Sequence, residues 1–321
     1  MTVEILSLGG AEAFARQLEA DARAGLTTRP KRLPAKYFYD ARGSELFEEI
    51  TRLAEYYLTR AETSILERVA DELVALARPR EIVEIGAGFS RKTQLLLDAL
   101  GKHGGKRFVP IDVSPAALSA AGERLAERYP WLEYLGVVGD FERDLGAVPR
   151  SGARLVCFLG STIGNLEAVE RVPFLRSVRA MLEHQDRFLL GVDLVKSQAR
   201  LHAAYNDARG VTAEFNKNVL RVLNRELGGD LDPRAFAHRA FYDSRLERVE
   251  MRLVALQRVD ARLARLDLEL GFDPGEELHT EISCKFRREV VAQCFKDSGL
   301  VLERWLTDEP GDFALALGRP G

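Results

Sequence analysis

Short apolar runs alternate with helical stretches between residues 81 and 194, and this alternation constrains the fold more than any other feature of the chain. Parallel strands joined by crossover helices produce such a pattern, whereas consecutive hairpins or helical bundles do not. We therefore predict an α/β fold with a doubly wound parallel sheet, whose strands are EIVEIG (81–86), RFVPIDV (107–113), LEYLGVVGDF (132–141), RLVCFLG (154–160) and RFLLGVDL (187–194).

The segments before and between these runs carry helix signals. Ser114 and Pro115 combine a capping residue with proline at the first helical position, which predicts the start of a helix. Another helix is predicted from Ser90, as its N-cap, to Leu100. Residues 61–77 have apolar side chains at three- and four-residue spacing and predict an amphipathic helix with one face formed by Ile65, Leu66, Val69, Leu73 and Leu76.

The pattern changes after residue 196, where a helical stretch is followed by runs of alternating apolar and polar residues. ERVEMRLVAL (247–256) and RLARLDLELGF (262–272) alternate as paired antiparallel strands do, and TEISCKF (280–286) adds a third such strand. RWLTDEPGDFALALG (304–318) predicts two strands about a Pro-Gly turn, which complete the edge of the first sheet.

These patterns divide the chain into two predicted units. The first is a nucleotide-type core of residues 61–195 plus 287–321. The second is an α+β unit of residues 1–60 plus 196–286. A chain of 321 residues is long enough for two such coupled domains.

The charge balance argues against nucleic acid as the main partner. The 46 Lys and Arg residues face 49 Asp and Glu residues, which gives a formal net charge of −3 rather than a concentrated basic surface. The N-terminus lacks the cationic start and apolar core of a signal peptide, and no apolar run reaches the ~18 residues of a membrane span. We expect a cytoplasmic monomer with no nucleic-acid or membrane partner.

The cysteines and histidines show no metal-binding spacing. Cys157, Cys284 and Cys294 are an odd number without a CxxC pair, and the five histidines form no HExxH motif. We therefore expect no metal site.

The strand that ends at Ile85 runs into Gly86-Ala87-Gly88, and a helix is predicted directly afterwards. Glycine allows close backbone approach to a ligand, and a helix N-terminus offers unpaired N–H groups. A tight turn that merely requires glycine gives the same pattern. The third glycine of a dinucleotide fingerprint is replaced by Arg91, which argues against a dinucleotide.

Two acidic residues at the ends of later strands extend this pattern. Asp112 ends the second strand, where a carboxylate can accept both hydroxyls of a ribose, although a turn aspartate is the alternative. The third strand ends in Gly139-Asp140-Phe141. Together these residues resemble the class I S-adenosylmethionine-dependent methyltransferases, with their Rossmann-like sheet. The resemblance implies that Asp140 lies near the adenine amino group and that an adjacent apolar residue contacts the ring.

Further motifs along essentially the whole chain resemble those of the bacterial histidine Nα-methyltransferases of ergothioneine biosynthesis. They are PAKYFYD (34–40), GSELF (43–47), ITRLAEYY (50–57), FLGSTIGN (158–165) and EISCKF (281–286). The resemblance implies trimethylation of the α-amino group of L-histidine to hercynine, with S-adenosylmethionine as the methyl donor.

The resemblance also implies roles for single residues. The α-amino and carboxylate groups of the substrate are assigned to Tyr56, Asn165 and Tyr205. The imidazole is assigned to Glu281 and Ser283, and the pocket walls and remaining substrate contacts to Met251, Phe47 and Tyr39. S-Adenosylmethionine is assigned to Gly86, Lys92, Asp112, Asp140 and Phe141. The chain departs from the family at Ala54 and Leu58, where proline is expected, and these departures bear on the loop of Tyr56.

The chemistry of these residues agrees with the implied roles but leaves alternatives open. Glu281 and Ser283 are two apart and face one side of a strand, with Ile282, Cys284 and Phe286 on the other. A carboxylate and a hydroxyl there can bind the two ring nitrogens of imidazole, but an exposed strand face has the same composition. Asn165 ends a strand in a glycine-bounded loop and is either a ligand or a turn residue.

The reaction is expected to be in-line displacement of the sulfonium methyl by a neutral amine, which depends mainly on alignment and a dry site. No strong base is evident, so water or a tyrosine hydroxyl is the candidate proton acceptor. Two other functions remain open. One is methylation of tryptophan, which a carboxylate at Glu281 and a bulky Met251 disfavour. The other is a non-catalytic sensor that binds S-adenosylmethionine or an amino acid.

Overall fold

The computed structural model describes residues 3–8, 10–88 and 92–321. By their internal contacts these residues form two compact units. Unit 1 comprises the described residues of Met1–Leu8, Leu58–Val195 and Cys284–Gly321, and unit 2 comprises those of Gly9–Tyr57 and Lys196–Ser283. Elements are numbered in chain order across both units. In the described residues no helix is long and apolar enough to cross a membrane.

Unit 1 contains one eight-stranded sheet. Its strands are β1 (Val3–Ser7), β3 (Glu81–Ile85), β4 (Arg107–Asp112), β5 (Glu133–Val138), β6 (Arg154–Phe158), β7 (Arg187–Asp193), β13 (Leu300–Thr307) and β14 (Phe313–Pro320). Its helices are α3 (Leu58–Ala77), α4 (Gln94–Lys102), α5 (Pro115–Arg128), α6 (Ala168–Ala180) and α9 (Arg288–Asp297). The strand order is β1-β5-β4-β3-β6-β7-β14-β13.

The central strands are parallel and buried on both faces. Every residue of β3 and β6 is buried, which explains why both read as continuous apolar runs. β3 pairs in parallel with β4 on one side and β6 on the other, and β14 joins β7 in antiparallel orientation. The predicted doubly wound parallel sheet is confirmed, as is the C-terminal strand pair that completes it.

One strand of this sheet lies in a segment that we predicted to belong to the second unit. β1 pairs in parallel with β5, so Val3 and Ile5 extend the large sheet, and their assignment to the second unit with residues 1–60 was wrong. Glycines provide the room for this strand: a Cβ at Gly122 would lie 2.9 Å from Val3 Cγ1, and one at Gly136 would lie 2.6 Å from Ile5 Cδ1.

The predicted helices of unit 1 form with small differences. Ser114 caps α5 by accepting a hydrogen bond from the Ala117 N–H at 3.3 Å, as predicted. The helix predicted from Ser90 is described from Gln94, and Ser90 lies outside the described residues. In α3 the predicted apolar face is buried except for Leu76, which is 40% exposed.

Unit 2 contains four helices and two sheets. The helices are α1 (Gly10–Leu26), α2 (Ala41–Ile50), α7 (Gln198–Tyr205) and α8 (Val211–Leu227). The strands are β2 (Lys31–Arg32), β8 (Phe236–Asp243), β9 (Arg248–Ala255), β10 (Val259–Leu263), β11 (Leu268–Phe272) and β12 (Glu277–Cys284), whose last residue belongs to unit 1. The sheets are β2-β12-β9-β8 and the hairpin β10-β11.

The predicted pairing of residues 247–256 with residues 262–272 was wrong. β9 instead pairs with β8, and residues 262–272 are interrupted by a short 3₁₀ turn at Ala264–Leu266. Asp267 follows that turn with a φ of 46°, so the chain reverses and β10 pairs with β11. Aspartate tolerates this left-handed conformation better than most side chains do.

A fully buried ion pair joins the two segments of unit 1 that meet at the end of β7. Lys285 Nζ lies 2.8 Å from Asp193 Oδ2, and both side chains are 0% exposed. The Phe286 N–H also donates to the Asp193 carbonyl at 2.8 Å. Charges removed from water in this way require compensation, so the pair holds residues 284–286 against the end of β7.

Replacing Lys285 alone is therefore expected to destabilise the protein strongly. Lys285→Met leaves the Asp193 carboxylate buried without its cation, which costs about 3–5 kcal/mol of unfolding free energy. Urea denaturation followed by circular dichroism measures this loss. Lys102→Met is the matched control, because its pair with Asp71 is at the surface and contributes less than about 1 kcal/mol. Equal losses in the two variants would contradict the role of the buried pair.

Candidate active site

The turn after β3 leaves open space at its glycines. Gly86 and Gly88 have φ angles of 66° and 49°, a region that side chains with a Cβ adopt rarely. Among the described residues, a Cβ at Gly88 would meet no atom within 4 Å. Glycine is therefore required here by backbone conformation, and the space beside Gly88 is open to a ligand.

Asp112 holds this turn in place. Its Oδ2 accepts a hydrogen bond from the Gly88 N–H at 2.8 Å, and its Oδ1 accepts one from the Ser114 N–H at 2.9 Å. Burial raises the pKa of the Asp112 carboxyl above its ordinary value, while the N–H groups of Ser114, Gly88 and Val113 act in the opposite direction. A carboxylate at this position can also accept hydrogen bonds from ligand hydroxyls.

Lys92 pairs with a buried carboxylate that sequence reasoning missed. Its ammonium contacts Glu62 of α3, whose side chain is 0% exposed. Glu62 also accepts the Gly160 N–H, at 2.9 Å through Oε1 and 3.1 Å through Oε2. A signal was present, since Glu62 precedes Ile65 and Leu66 by three and four residues and so lies on the apolar face of the helix.

Asp140 and Phe141 follow β5. The Asp140 N–H donates to Asp144 Oδ2 at 2.8 Å, and Asp140 Oδ1 accepts from the Glu142 N–H at 3.0 Å. The Phe141 ring lies 5.3 Å from the Phe158 ring and forms an edge contact with it. The turn residues are thus fixed by their own hydrogen bonds and ring packing.

The cofactor candidates of unit 1 share one edge of the sheet. Gly86 follows β3, Asp112 ends β4 and Asp140 follows β5; Gly160, the donor to Glu62, follows β6 at the same edge. Because these strands are parallel neighbours, their carboxyl ends lie at the same edge, where open α/β sheets bind ligands. A glycine turn, a carboxylate for hydroxyl groups and an aromatic ring suit an adenosine-containing ligand.

Asn165 ends a tightly built loop after β6. Ser161 has a φ of 59°, and its Oγ accepts the Asp193 N–H at 2.8 Å. At Gly164 an added Cβ would lie 2.9 Å from the Cys284 carbonyl oxygen and 3.1 Å from its nitrogen. The loop thus packs directly on backbone, and Asn165 itself is half-buried.

Four of the predicted substrate residues form one aromatic cluster in unit 2. Ring centroids are 5.6 Å apart between Tyr39 and Phe47, 6.2 Å between Phe47 and Tyr56, and 6.5 Å between Tyr56 and Tyr205. Phe215 of α8, which sequence reasoning missed, lies 5.5 Å from Tyr39 and 5.9 Å from Phe47. These contacts join α2, α7 and α8 around the cluster.

Tyr56 keeps its place in the cluster despite the departures from the family at Ala54 and Leu58. Its side chain is 8% exposed, and its N–H donates to the Leu53 carbonyl at 3.2 Å. Ala54 is exposed, and Leu58 is buried as the first residue of α3.

Ser283 is joined to this cluster by a buried hydrogen bond. The Tyr205 hydroxyl and Ser283 Oγ are 2.7 Å apart. Glu281 is half-buried, two residues before Ser283 on β12. Both faces of this strand are covered at its end, since Glu281 and Ile282 are both half-buried and Ser283 and Cys284 are both buried.

Met251 lies on β9, the neighbour of β12, with its side chain 2% exposed. Its carbonyl accepts a hydrogen bond from Thr280 Oγ1 at 2.9 Å, which places Met251 close to Glu281 along the two strands. Within the part of the chain that the structure describes, no group of three or more His, Cys, Asp or Glu side chains is arranged to hold a metal ion.

The sheet and its strand order have the fold of the class I S-adenosylmethionine-dependent methyltransferases. Among solved structures, the magnesium protoporphyrin IX methyltransferase of Synechocystis PCC 6803 with bound SAH is similar in fold. Its TM-score is 0.50 at 9% sequence identity, and the match covers 89% of this chain and 98% of that chain.

Sequence comparison places the chain in one family within this class. The family model described as histidine-specific methyltransferase, SAM-dependent, matches residues 18–320. The histidine N-alpha-methyltransferase of Mycolicibacterium smegmatis is 49% identical over 318 residues, 99% of each chain. Ergothioneine biosynthesis protein 1 of Schizosaccharomyces pombe is 34% identical over 227 residues, 67% of this chain and 29% of that protein. The chain belongs to the histidine-specific methyltransferase family, which confirms the resemblance seen in its motifs.

The raised pKa of Asp112 predicts a pH-dependent affinity for S-adenosylhomocysteine. If Asp112 accepts hydrogen bonds from the ribose hydroxyls, as the resemblance implies, these favour the ionised carboxylate and binding lowers this pKa. Affinity is therefore full above the pKa of the free protein and falls as the pH drops through it, at higher pH than for an ordinary aspartate. Calorimetry across this range measures the effect. Asp112→Asn should bind roughly 1.5–3 kcal/mol more weakly and lose the pH step. If the affinity of Asp112→Asn still falls at low pH, a titrating group other than Asp112 causes the pH dependence.

The close approach at Gly164 predicts a cost for a single methyl group. Gly164→Ala forces the loop of Asn165 away from the Cys284 backbone and should lower kcat/KM for the amino acid about tenfold or more, because small misplacements in a site are costly. Steady-state kinetics measure the change. Gly146→Ala is the control, since a Cβ there meets no atom within 4 Å. Parental kinetics in both variants would show that the loop position does not matter.

Proposed function

We propose that this chain transfers three methyl groups from S-adenosylmethionine to the α-amino nitrogen of L-histidine, giving hercynine, as a step of ergothioneine biosynthesis. The observation that carries the choice of substrate is the buried hydrogen bond between Tyr205 and Ser283. When the phenol donates to Ser283 Oγ, the serine hydroxyl keeps its own proton to donate onward. Glu281, two residues earlier, is an acceptor. One donor and one acceptor match the two nitrogens of a neutral imidazole.

The methyl donor is assigned to unit 1. Asp112 would accept hydrogen bonds from the ribose hydroxyls, and Asp140 would accept one from the adenine amino group. Phe141 would contact the adenine ring. Lys92 would contact the carboxylate, and the turn at Gly86 would give the backbone room. When bound, the cofactor supplies an electrophilic methyl group on a sulfonium. The raised pKa of Asp112 and the open space at Gly88 support this assignment.

The head group of the amino acid is assigned to three polar side chains by their match to the family motifs. Tyr56 and Tyr205 offer phenol oxygens within the aromatic cluster, and Asn165 offers both a donor and an acceptor. Held by these groups, the amine keeps a single orientation toward the methyl donor. Alignment of this kind, with exclusion of water, supplies most of the rate in a reaction that needs little covalent help.

The nitrogen must be neutral each time that it attacks. Each of the first two methylations leaves a protonated amine, which must lose a proton before the next transfer, and the third gives a quaternary ammonium with no N–H. Tyrosine hydroxyls at the head group, or a water molecule beside them, are the proposed acceptors of these protons.

Two alternatives make different demands on the same residues. A tryptophan methyltransferase would have no use for a carboxylate at Glu281, and a non-catalytic sensor would bind ligands without turnover. Incubation of the protein with S-adenosylmethionine and the twenty amino acids, followed by mass spectrometry, separates them. The proposal expects a gain of three methyl groups on histidine alone. The expected monomer and cytoplasmic location stay predictions, which light scattering and cell fractionation would test.

Substitution of Glu281 tests the substrate assignment directly. Glu281→Gln should lower kcat/KM for histidine by about tenfold or more, the effect of losing a hydrogen bond to a charged group. The preference for histidine over tryptophan should fall with it, and affinity for S-adenosylhomocysteine should not change. Glu277→Gln, on the same strand but paired with Arg239 and Arg252, is the control. An unchanged histidine preference in Glu281→Gln would remove this carboxylate from the ring site.

A further inference from the structure

The helix that carries Tyr205 ends on groups from the neighbouring strand. Tyr205 is the last residue of α7, and the carbonyls at a helix C-terminus lack partners within the helix. The Asn206 side-chain amide donates to the His202 carbonyl at 2.9 Å and to the Ala240 carbonyl of β8 at 3.1 Å. His238 Nε2, also on β8, lies 2.9 Å from the Tyr205 carbonyl. The end of α7 is thus attached to β8 at two places.

The hydrogen bonds of His238 allow one arrangement of its proton. A carbonyl oxygen only accepts, so Nε2 must carry the hydrogen that points at Tyr205. On the other side of the ring, Nδ1 lies 2.9 Å from Asn216 Nδ2. An amide nitrogen only donates, so Nδ1 must be the acceptor. His238 is therefore a neutral ring that accepts a hydrogen bond from Asn216 and donates one to the Tyr205 carbonyl.

The orientation of Asn216 is itself determined. Its Nδ2 also lies 3.0 Å from the Arg252 carbonyl, which requires the amide nitrogen at that position. Its Oδ1 lies 2.6 Å from Thr280 Oγ1 and shares the hydroxyl proton with the Met251 carbonyl, and its side chain is 0% exposed. A flipped amide would set two oxygens against each other at Arg252. The series of hydrogen bonds from Thr280 through Asn216 and His238 to Tyr205 therefore runs from donor to acceptor in one direction.

The surroundings of His238 favour its neutral form. Burial lowers its pKa, and Lys217 acts in the same direction. The Tyr205 carbonyl and Asp207 act in the opposite direction. Asp207 also accepts the N–H groups of Val211 and Thr212 at the start of α8, at 2.9 and 2.8 Å.

We propose that His238 is a positioning residue for substrate recognition, which holds the end of α7 so that the Tyr205 phenol meets Ser283. The proposal rests on the proposed function, because Tyr205 and Ser283 are there assigned to histidine. His238 itself acts through the Tyr205 backbone. Its loss should therefore weaken histidine binding while leaving the binding of S-adenosylhomocysteine unchanged.

Two amide variants separate the two ends of the ring. Asn matches the position of Nδ1 and Gln matches that of Nε2, so His238→Gln can still donate to the Tyr205 carbonyl whereas His238→Asn cannot. His238→Asn should raise KM for histidine about fivefold to tenfold, the effect of one lost hydrogen bond, with a smaller change in kcat. His238→Gln should restore most of the parental KM. Equal KM values in the two variants, or a loss of kcat alone, would overturn the proposal.

A double-mutant cycle with Tyr205→Phe tests whether His238 acts through the phenol. If it does, His238→Asn should add little to the KM of the Tyr205→Phe variant, whereas independent effects would multiply and overturn the proposal. Tyr205→Phe alone reports on the proposed function. A parental KM in Tyr205→Phe removes Tyr205 from the site. If Tyr205→Phe raises KM but His238→Asn has the parental KM, only the role of His238 is overturned.

Nitrogen NMR of the His238 ring supplies a measurement on the parent protein that needs no variant to fold. The proposal expects the neutral form with the proton on Nε2 near neutral pH. A ring protonated on Nδ1, in either the neutral or the charged state, would break the bond from Asn216 and overturn the proposal.

Discussion

A buried carboxylate on α3 links the two loops of unit 1 on which the proposed chemistry depends. Glu62 is removed from water, so its charge must be compensated by nearby donors. Lys92 supplies one, and the Gly160 N–H supplies another at the start of the loop that ends in Asn165. An ammonium has three N–H donors, so Lys92 can contact a ligand carboxylate while it keeps its ion pair with Glu62. The loop of Asn165 and the proposed cofactor contact therefore share a single buried charge.

In unit 2, the polar side chains are instead oriented by hydrogen bonds within apolar surroundings. Tyr205 and Ser283 are both buried, next to the aromatic cluster of Tyr39, Phe47 and Tyr56. In such surroundings a polar group without a partner is costly, so each donor and acceptor has one favoured role. In the proposed site, a substrate nitrogen that meets the Ser283 hydroxyl would accept a hydrogen bond from it. The proposed recognition of a ring with one lone pair and one N–H rests on these hydrogen-bond directions.

The sequence predicted what depends on local pattern and on motif, and missed what depends on distant partners. The parallel strands were predictable because they are covered on both faces of the sheet. Residues on either face, such as Ile82 and Val156, are therefore buried, and the strands are continuous apolar runs. Val3 and Ile5 were missed because their places depend on glycines more than a hundred residues away. His238 gave a partial signal, since it shares strand parity with the buried Phe236 and Ala240. No spacing along the chain, however, indicates that Asn216 and Tyr205 are its partners.

Exhaustive methylation places a changing demand on the head-group residues. Each methyl group removes an N–H donor, so the proposed head-group phenols of Tyr56 and Tyr205 would lose hydrogen-bond partners as the reaction proceeds. A methylated ammonium instead gains from the faces of aromatic rings, by about 0.5–2 kcal/mol for a well-placed ring. The cluster of Tyr39, Phe47 and Tyr56 offers such faces beside the same phenol oxygens. An aromatic surface with few fixed polar contacts therefore suits three successive amines of increasing bulk better than a site built from carboxylates alone.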